Sequence, residues 1–159
     1  MLTQTQQLQK IFSQSNRVNY SVMIAYANAV AQLGDPEDLT TVLDLFLADP
    51  SDFYRKPLLF TLQSLGGVEV AEALHQKCFE NDLLKADMPE EVLDCLVWLE
   101  YPPTEALLIR NYENKTLDHG GHFSLCMGLL HYSGATYQEM YIREVEKCIG
   151  KGIFDNEFA

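Results

Sequence analysis

Between its prolines and glycines, this chain repeats apolar residues at spacings of three and four, the period at which side chains return to one face of an α-helix. Leu8, Ile11 and Phe12 mark one face of a helix over about 3–13. Val22, Ala25, Ala29, Val30 and Leu33 mark a second over about 20–33, with Gly34 placed as its C-terminal cap. Asp35, Pro36, Glu37 and Asp38 then supply an N-cap, a proline at the first helical position and acids in the first turn. They predict a third helix running to about Ala48, with Leu39, Val42, Leu43, Phe46 and Leu47 on its apolar stripe. After a turn at 49–52, a fourth helix over about 53–65 carries Leu58, Leu59, Leu62 and Leu65 and stops at Gly66 and Gly67. Pro57 falls inside it, early enough only to bend or delay its first turn.

The pattern continues in pairs. A helix from Val68 to about Phe79 is followed by a linker over 82–87 and a helix from Pro89 to about Tyr101 with Val92, Leu96 and Leu99 inward. Another pair takes Pro103 to about Tyr112, a turn from Asn114 to Gly121, and a helix near His122 to Tyr132. A last amphipathic helix over about 137–149 carries Met140, Ile142, Val145 and Cys148, and 150–159 form a short tail. Segments 34–66, 67–101 and 102–134 are then units of 33, 35 and 33 residues, each an antiparallel helix pair. A period of that length predicts an all-α solenoid, in which each hairpin hides its apolar face by stacking on the next. About nine helices are expected in a single domain over 1–159, with 1–33 as an N-terminal capping hairpin and 135–159 as a C-terminal capping helix and tail.

Residues 25–67 also resemble the HEAT repeat, in the short form found in the phycobilisome-lyase-like group. Leu33-Gly34-Asp35-Pro36 is similar to that family's junction between repeats, Asp52 with Arg55 to the element opening its second helix, and Leu62 to Gly66 to its closing segment. Tyr54 stands where a valine is usual, and Pro57 has no counterpart in the pattern. The later units keep the length and the apolar spacing without the Asp and Arg pair. The resemblance implies a right-handed, curved stack with the second helices on the concave side, and of itself no activity.

Charge narrows the range of partners. The net charge is −12, and residues 34–113 hold 17 acids against 5 bases, so the whole excess lies in mid-chain. Such a field repels phosphate backbones and steers basic proteins in, so a basic protein is the expected partner and nucleic acid is not. The alternative is that the acids merely solvate outward helix faces. Cys78, Cys95, Cys126 and Cys148 are 17, 31 and 22 residues apart and match no zinc-ligand spacing. They predict reduced thiols in the core and a reducing compartment, the cytoplasm. No run approaches the roughly 20 apolar residues that span a bilayer, so a soluble protein without membrane contact is expected.

Aligning the ends of the second helices puts Val30, Leu62, Leu96 and Leu129 in register as core. Gln32, Ser64, Trp98 and His131 then form one ladder, with Asn28, Phe60, Asp94 and Met127 a second ladder one turn earlier. Glu91, Asp94, Trp98 and Tyr101 recur at i, i+3, i+7 and i+10, placing two acids and two aromatics on one stripe. Aromatics anchor interfaces and carboxylates pair with a partner's Lys or Arg, so Glu91, Asp94, Trp98, Tyr101, Phe60 and His131 are the candidate partner-binding residues. The competing reading packs Trp98 under the linker around Leu83 and Leu84.

Catalytic chemistry finds no purchase in the sequence, and no cofactor or metal is expected. His119, His122 and Asp118 surround Gly120 and Gly121, a grouping better suited to a flexible loop and helix start than to a ligand set. The glycines lack the Lys-Ser/Thr and preceding strand of a phosphate loop, and no nucleophile with its base can be assembled. The expected function is a non-enzymatic interaction module that neutralises a basic partner. In size and charge it is similar to bacterial immunity proteins that pair with secreted nuclease toxins. The alternative is a HEAT-like adaptor or lyase-type factor holding a small ligand or chromophore in its groove.

Overall fold

A computed structural model of the chain describes residues 6, 7, 10, 20–33, 38–48 and 52–150. The expected first helix, the Gly34–Glu37 junction, the turn at 49–51 and the tail after 150 lie outside the described residues, apart from the helical positions 6, 7 and 10. The rest is mostly helical. Helices α1 (Tyr20–Leu33), α2 (Leu39–Ala48), α3 (Asp52–Leu65) and α4 (Val68–Cys78) lead to a two-stranded antiparallel hairpin, β1 (Phe79–Glu80) and β2 (Leu83–Leu84). Helices α5 (Glu91–Trp98), α6 (Thr104–Glu113), α7 (His119–Tyr132) and α8 (Gly134–Gly150) follow. Backbone contacts divide the chain into two compact units, 1–74 and 75–159, with the boundary inside α4.

In the first unit α1 and α2 both pack on α3. Val30, Val42, Phe46, Leu58 and Leu62 fill the interior, each from the apolar stripe that the spacing of three and four defines. Proline at position 57 does not break α3. The Thr61 hydroxyl lies 3.1 Å from the Pro57 carbonyl and 3.0 Å from the Ala27 carbonyl, a hydrogen-bonding link between α3 and α1. Arg55 is buried with its Nε donating to the Phe46 carbonyl at 3.1 Å and its guanidinium 5.6 Å from the Phe46 ring centre. A cation at that point satisfies a carbonyl that the end of α2 leaves without an intrahelical donor.

In the second unit α7 packs on α5, α6 and α8, and α5 also touches α6. The linker expected at 82–87 begins instead as the β1–β2 hairpin, whose central residues Asn81 and Asp82 both have positive φ, at 52° and 63°. That is the two-residue turn whose twist matches paired strands, and Asn and Asp tolerate it better than most residues. Asn111, fully buried on α6, holds the hairpin down. Its Oδ1 accepts from Leu84 N–H at 2.9 Å and Thr116 Oγ1 at 2.9 Å, while its Nδ2 donates to the carbonyls of Asp82 and Leu107 at 3.0 and 2.8 Å.

Three helix boundaries lie three residues from the sequence expectation. Helix α5 stops at Trp98, not Tyr101, because Glu100 takes φ 52° and closes a Schellman motif, Glu100 N–H to Val97 O at 3.0 Å and Tyr101 N–H to Leu96 O at 3.2 Å. Helix α7 starts at His119, three residues earlier than expected, because Asp118 acts as its N-cap and accepts from Gly121 N–H at 2.9 Å. Gly121 is there for space, since a Cβ would stand 2.5 Å from Leu117 Cβ and 2.6 Å from a Glu90 oxygen. Helix α8 begins at Gly134, with the Ser133 hydroxyl accepting from Thr136 N–H at 3.3 Å.

The inward face of α8 is a further correction. Cys148 is buried as expected, but Ile142 is exposed and Glu144 is fully buried. Tyr112 Oη and Lys147 Nζ donate to its Oε1 at 2.7 and 2.6 Å. Burial pushes the Glu144 carboxyl upward, and those two bonds with nearby Lys147 and His122 more than offset it, leaving its pKa below the usual value.

Asn111 generates the clearest stability prediction. Asn111→Ala takes the side-chain partner from the buried Leu84 N–H, at about 1–3 kcal/mol, and removes a further bond to the part-buried Asp82 carbonyl, worth about 1 kcal/mol. Denaturant unfolding should show a loss of about 2–4 kcal/mol, and an unchanged midpoint would contradict the anchoring role.

Candidate functional site

Two residues along a helix advance about 200° around its axis, so the positions flanking a buried residue at i−2 and i+2 emerge on the far side. Val30, Leu62, Leu96 and Leu129 are each 0 % exposed. All eight flanking positions, Asn28 and Gln32, Phe60 and Ser64, Asp94 and Trp98, Met127 and His131, are exposed. Trp98 is 71 % exposed, Phe60 56 % and Met127 51 %, large values for apolar side chains.

In the second unit the ladder closes into a recess. Asp94, Val97, Trp98, Glu100 and His131 line a cavity of about 460 Å³, where the C-terminal end of α5 meets the last turn of α7. The linker does not cover the indole, which is exposed, and Leu84 is instead buried where β2 packs on α6, its N–H held by Asn111. Phe60 belongs to the first unit, where it stands exposed on α3. A second recess, about 410 Å³, lies in that unit and is lined by Leu39, Leu65, Gly66, Gly67, Glu69 and Val70.

Glu91 and Asp94 share the first turn of α5. Asp94 is exposed by area, yet enough protein surrounds its carboxyl that partial burial, and then the charge of Glu91, raises its pKa. His131 sits on the rim with its ring 5.6 Å from that of Tyr132, edge to face. Glu100, which the sequence stripe did not include, enters the recess because it occupies the left-handed position after α5. Pro102 and Pro103 are the signal that marks this helix end, since a residue before proline disfavours helical backbone.

Tyr101 leaves the stripe with the same turn. Its hydroxyl lies 3.1 Å from His75 Nδ1, and His75 Nε2 is 3.0 Å from Asp82 Oδ1. An imidazole between a carboxylate and a phenol can orient a proton carrier. Here the His75 ring is also held edge-on by Phe79 and Tyr101 at 5.4 and 5.7 Å, tying α4 to the hairpin and to the end of α5.

The other chemically capable groups are enclosed or engaged. All four cysteines are buried, and none is joined to another by a disulfide. Burial above all pushes the Cys95 thiol up to about 12 and the Cys126 thiol up to about 11, which keeps both protonated at neutral pH. Asp118 caps α7, and the His122 ring lies 5.2 Å from that of Tyr112. Among the described residues no three of His, Cys, Asp and Glu come together as a metal-ligand group, and no helix is long and apolar enough to cross a membrane. Compared with known proteins, the chain matches no protein-family model, no curated protein and no solved structure.

The raised pKa of Asp94 has a definite sign. An acid whose folded pKa is raised favours folding at low pH, and that contribution is lost as pH rises through the folded value. At neutral pH the charge on Asp94 therefore weakens the fold. Asp94→Asn should melt at or above the wild-type temperature at pH 7, with the gap closing in acid. A variant that melts well below wild type at pH 7 would show instead that the carboxylate holds the fold together.

Proposed function

We propose that this chain is a non-enzymatic interaction module, built of stacked helical hairpins of the HEAT kind, that captures and masks a basic partner protein in the cytoplasm. A bacterial immunity protein set against a secreted nuclease is the concrete form of this reading. The observation that carries it is the indole of Trp98, 71 % exposed in a recess shared with Asp94 and Glu100. An exposed Trp is costly to maintain and is a residue type that interfaces enrich, and the carboxylates beside it are complementary to a cationic partner. Covering most of an indole is worth on the order of 3–4 kcal/mol at about 25 cal/mol per Å². Single exposed ion pairs contribute about 1 kcal/mol or less. The indole therefore supplies the holding energy, while the acids, part of a net charge of −12, speed the encounter.

Support for the stacking comes from the packing inside each unit. In the first unit α1 lies on α3, skipping one helix in sequence, and in the second α5 lies on α7 in the same relation. Alternate helices in contact, each with its buried register residue, is the arrangement that successive hairpins adopt when they share a core.

The test is stopped-flow association with a basic nuclease domain over a range of salt. Association should slow steeply as salt rises, and Glu91→Lys with Asp94→Lys should slow it further at low salt. Trp98→Ala should leave the association rate nearly unchanged and weaken binding by about two orders of magnitude or more through faster dissociation. An association rate indifferent to salt and to charge reversal removes the basic-partner reading. A small molecule found on the recess by native mass spectrometry would favour the ligand-holding alternative.

A further inference from the structure

We propose that the Trp98 recess is a socket for one arginine side chain of the partner, the guanidinium lying against the indole and donating to the carboxylates of Asp94 and Glu100. This rests on the basic-partner reading above and adds to it the chemical identity of the anchoring group. The lining divides into the parts such a side chain needs. Trp98 offers an exposed aromatic face, Val97 an apolar wall for methylenes, and Asp94 and Glu100 two acceptors, all around a space of about 460 Å³.

The chemistry favours arginine over lysine. A guanidinium is planar and weakly hydrated, stacks on indole faces, and carries five donors in a fork that fits carboxylates. A lysine ammonium is compact, strongly hydrated and has no face to stack. The recess supplies both halves of the guanidinium's requirements, a flat surface and paired acceptors.

Two features of the free protein fit a cation arriving from outside. Glu100 holds φ 52° at the position after a helix where glycine would rest without strain, so the backbone maintains an acidic side chain at a conformational cost. The charge of Asp94 is disfavoured both by partial burial and by Glu91, and the positive charge of a guanidinium at its carboxyl would offset both. The only tryptophan of the chain is the one that lines the recess, so its fluorescence reports on this site alone.

The experiment titrates the full-length protein at low salt with three peptides identical except at a central residue, arginine, lysine or citrulline, following Trp98 emission. Citrulline keeps the planar shape and loses the charge. The expected result is a saturable change with the arginine peptide, at least tenfold tighter than with either of the others. Asp94→Asn and Glu100→Gln should each bring the arginine peptide down toward the citrulline level, with the far-ultraviolet circular dichroism of a folded chain retained. Equal binding of the arginine and lysine peptides overturns the socket while leaving a basic partner in place. Equal binding of the citrulline and arginine peptides overturns it too, since charge would then be irrelevant. Free L-arginine binding as tightly as the peptide would overturn the assignment to a partner's side chain, and no binding by any peptide overturns the proposal outright. In that last case the salt dependence with a basic protein still decides the broader reading by itself.

Discussion

The surface of this protein depends on where four side chains cannot go. Val30 and Leu62 in one unit, Leu96 and Leu129 in the other, are sealed from water, and helix geometry then forces the residues two positions either side of each into solvent. Asp94 and Trp98 are exposed because Leu96 is not. Rotating α5 to hide the indole would draw Val92, Leu93, Cys95 and Leu96 toward water and carry Asp94 inward. Burying one aliphatic side chain is worth about 1.5–3 kcal/mol, so several of them outweigh the roughly 3–4 kcal/mol at stake for one indole. The aromatic and acidic recess is a consequence of the core that the fold cannot easily trade away.

Buried polar groups fix how the elements meet. Arg55 satisfies a carbonyl at the end of α2, Asn111 clamps the β1–β2 hairpin to α6, and Glu144 is held by Tyr112 and Lys147 between α6 and α8. Apolar contacts alone would let such pieces slide, whereas a buried donor or acceptor finds its partner in one arrangement and costs about 1–3 kcal/mol in any other. Asn111 holds Leu84 down on α6, while Trp98 stands exposed.

The helices and their register were legible in the sequence because they rest on apolar periodicity, which depends only on spacing. Val30, Leu62, Leu96 and Leu129 could be aligned without coordinates, and Trp98 and His131 then fell on one ladder and do line one recess. The end of α5 was harder. No glycine marks it, and Glu100 adopts a backbone conformation that a glycine would have advertised, so spacing alone places Tyr101 on the stripe although its hydroxyl turns to His75. The hairpin at 79–84 is too short for an alternating pattern to register. Glu144 sits on a face that periodicity assigns to apolar residues, and only its partners on other turns and helices explain its burial. The features that periodicity does not reveal are long-range hydrogen bonds, left-handed residues and the local caps that start α7 and α8.

One measurement goes straight to the claim that the free protein presents a bare indole in an acidic setting. Quenching of the single tryptophan by neutral acrylamide, cationic caesium and anionic iodide separates exposure from local charge. Acrylamide should quench nearly as well as it quenches a free indole, and caesium should gain over iodide at low salt and lose that advantage as salt screens the carboxylates. An emission that acrylamide scarcely touches, or iodide quenching that exceeds caesium, would contradict the account.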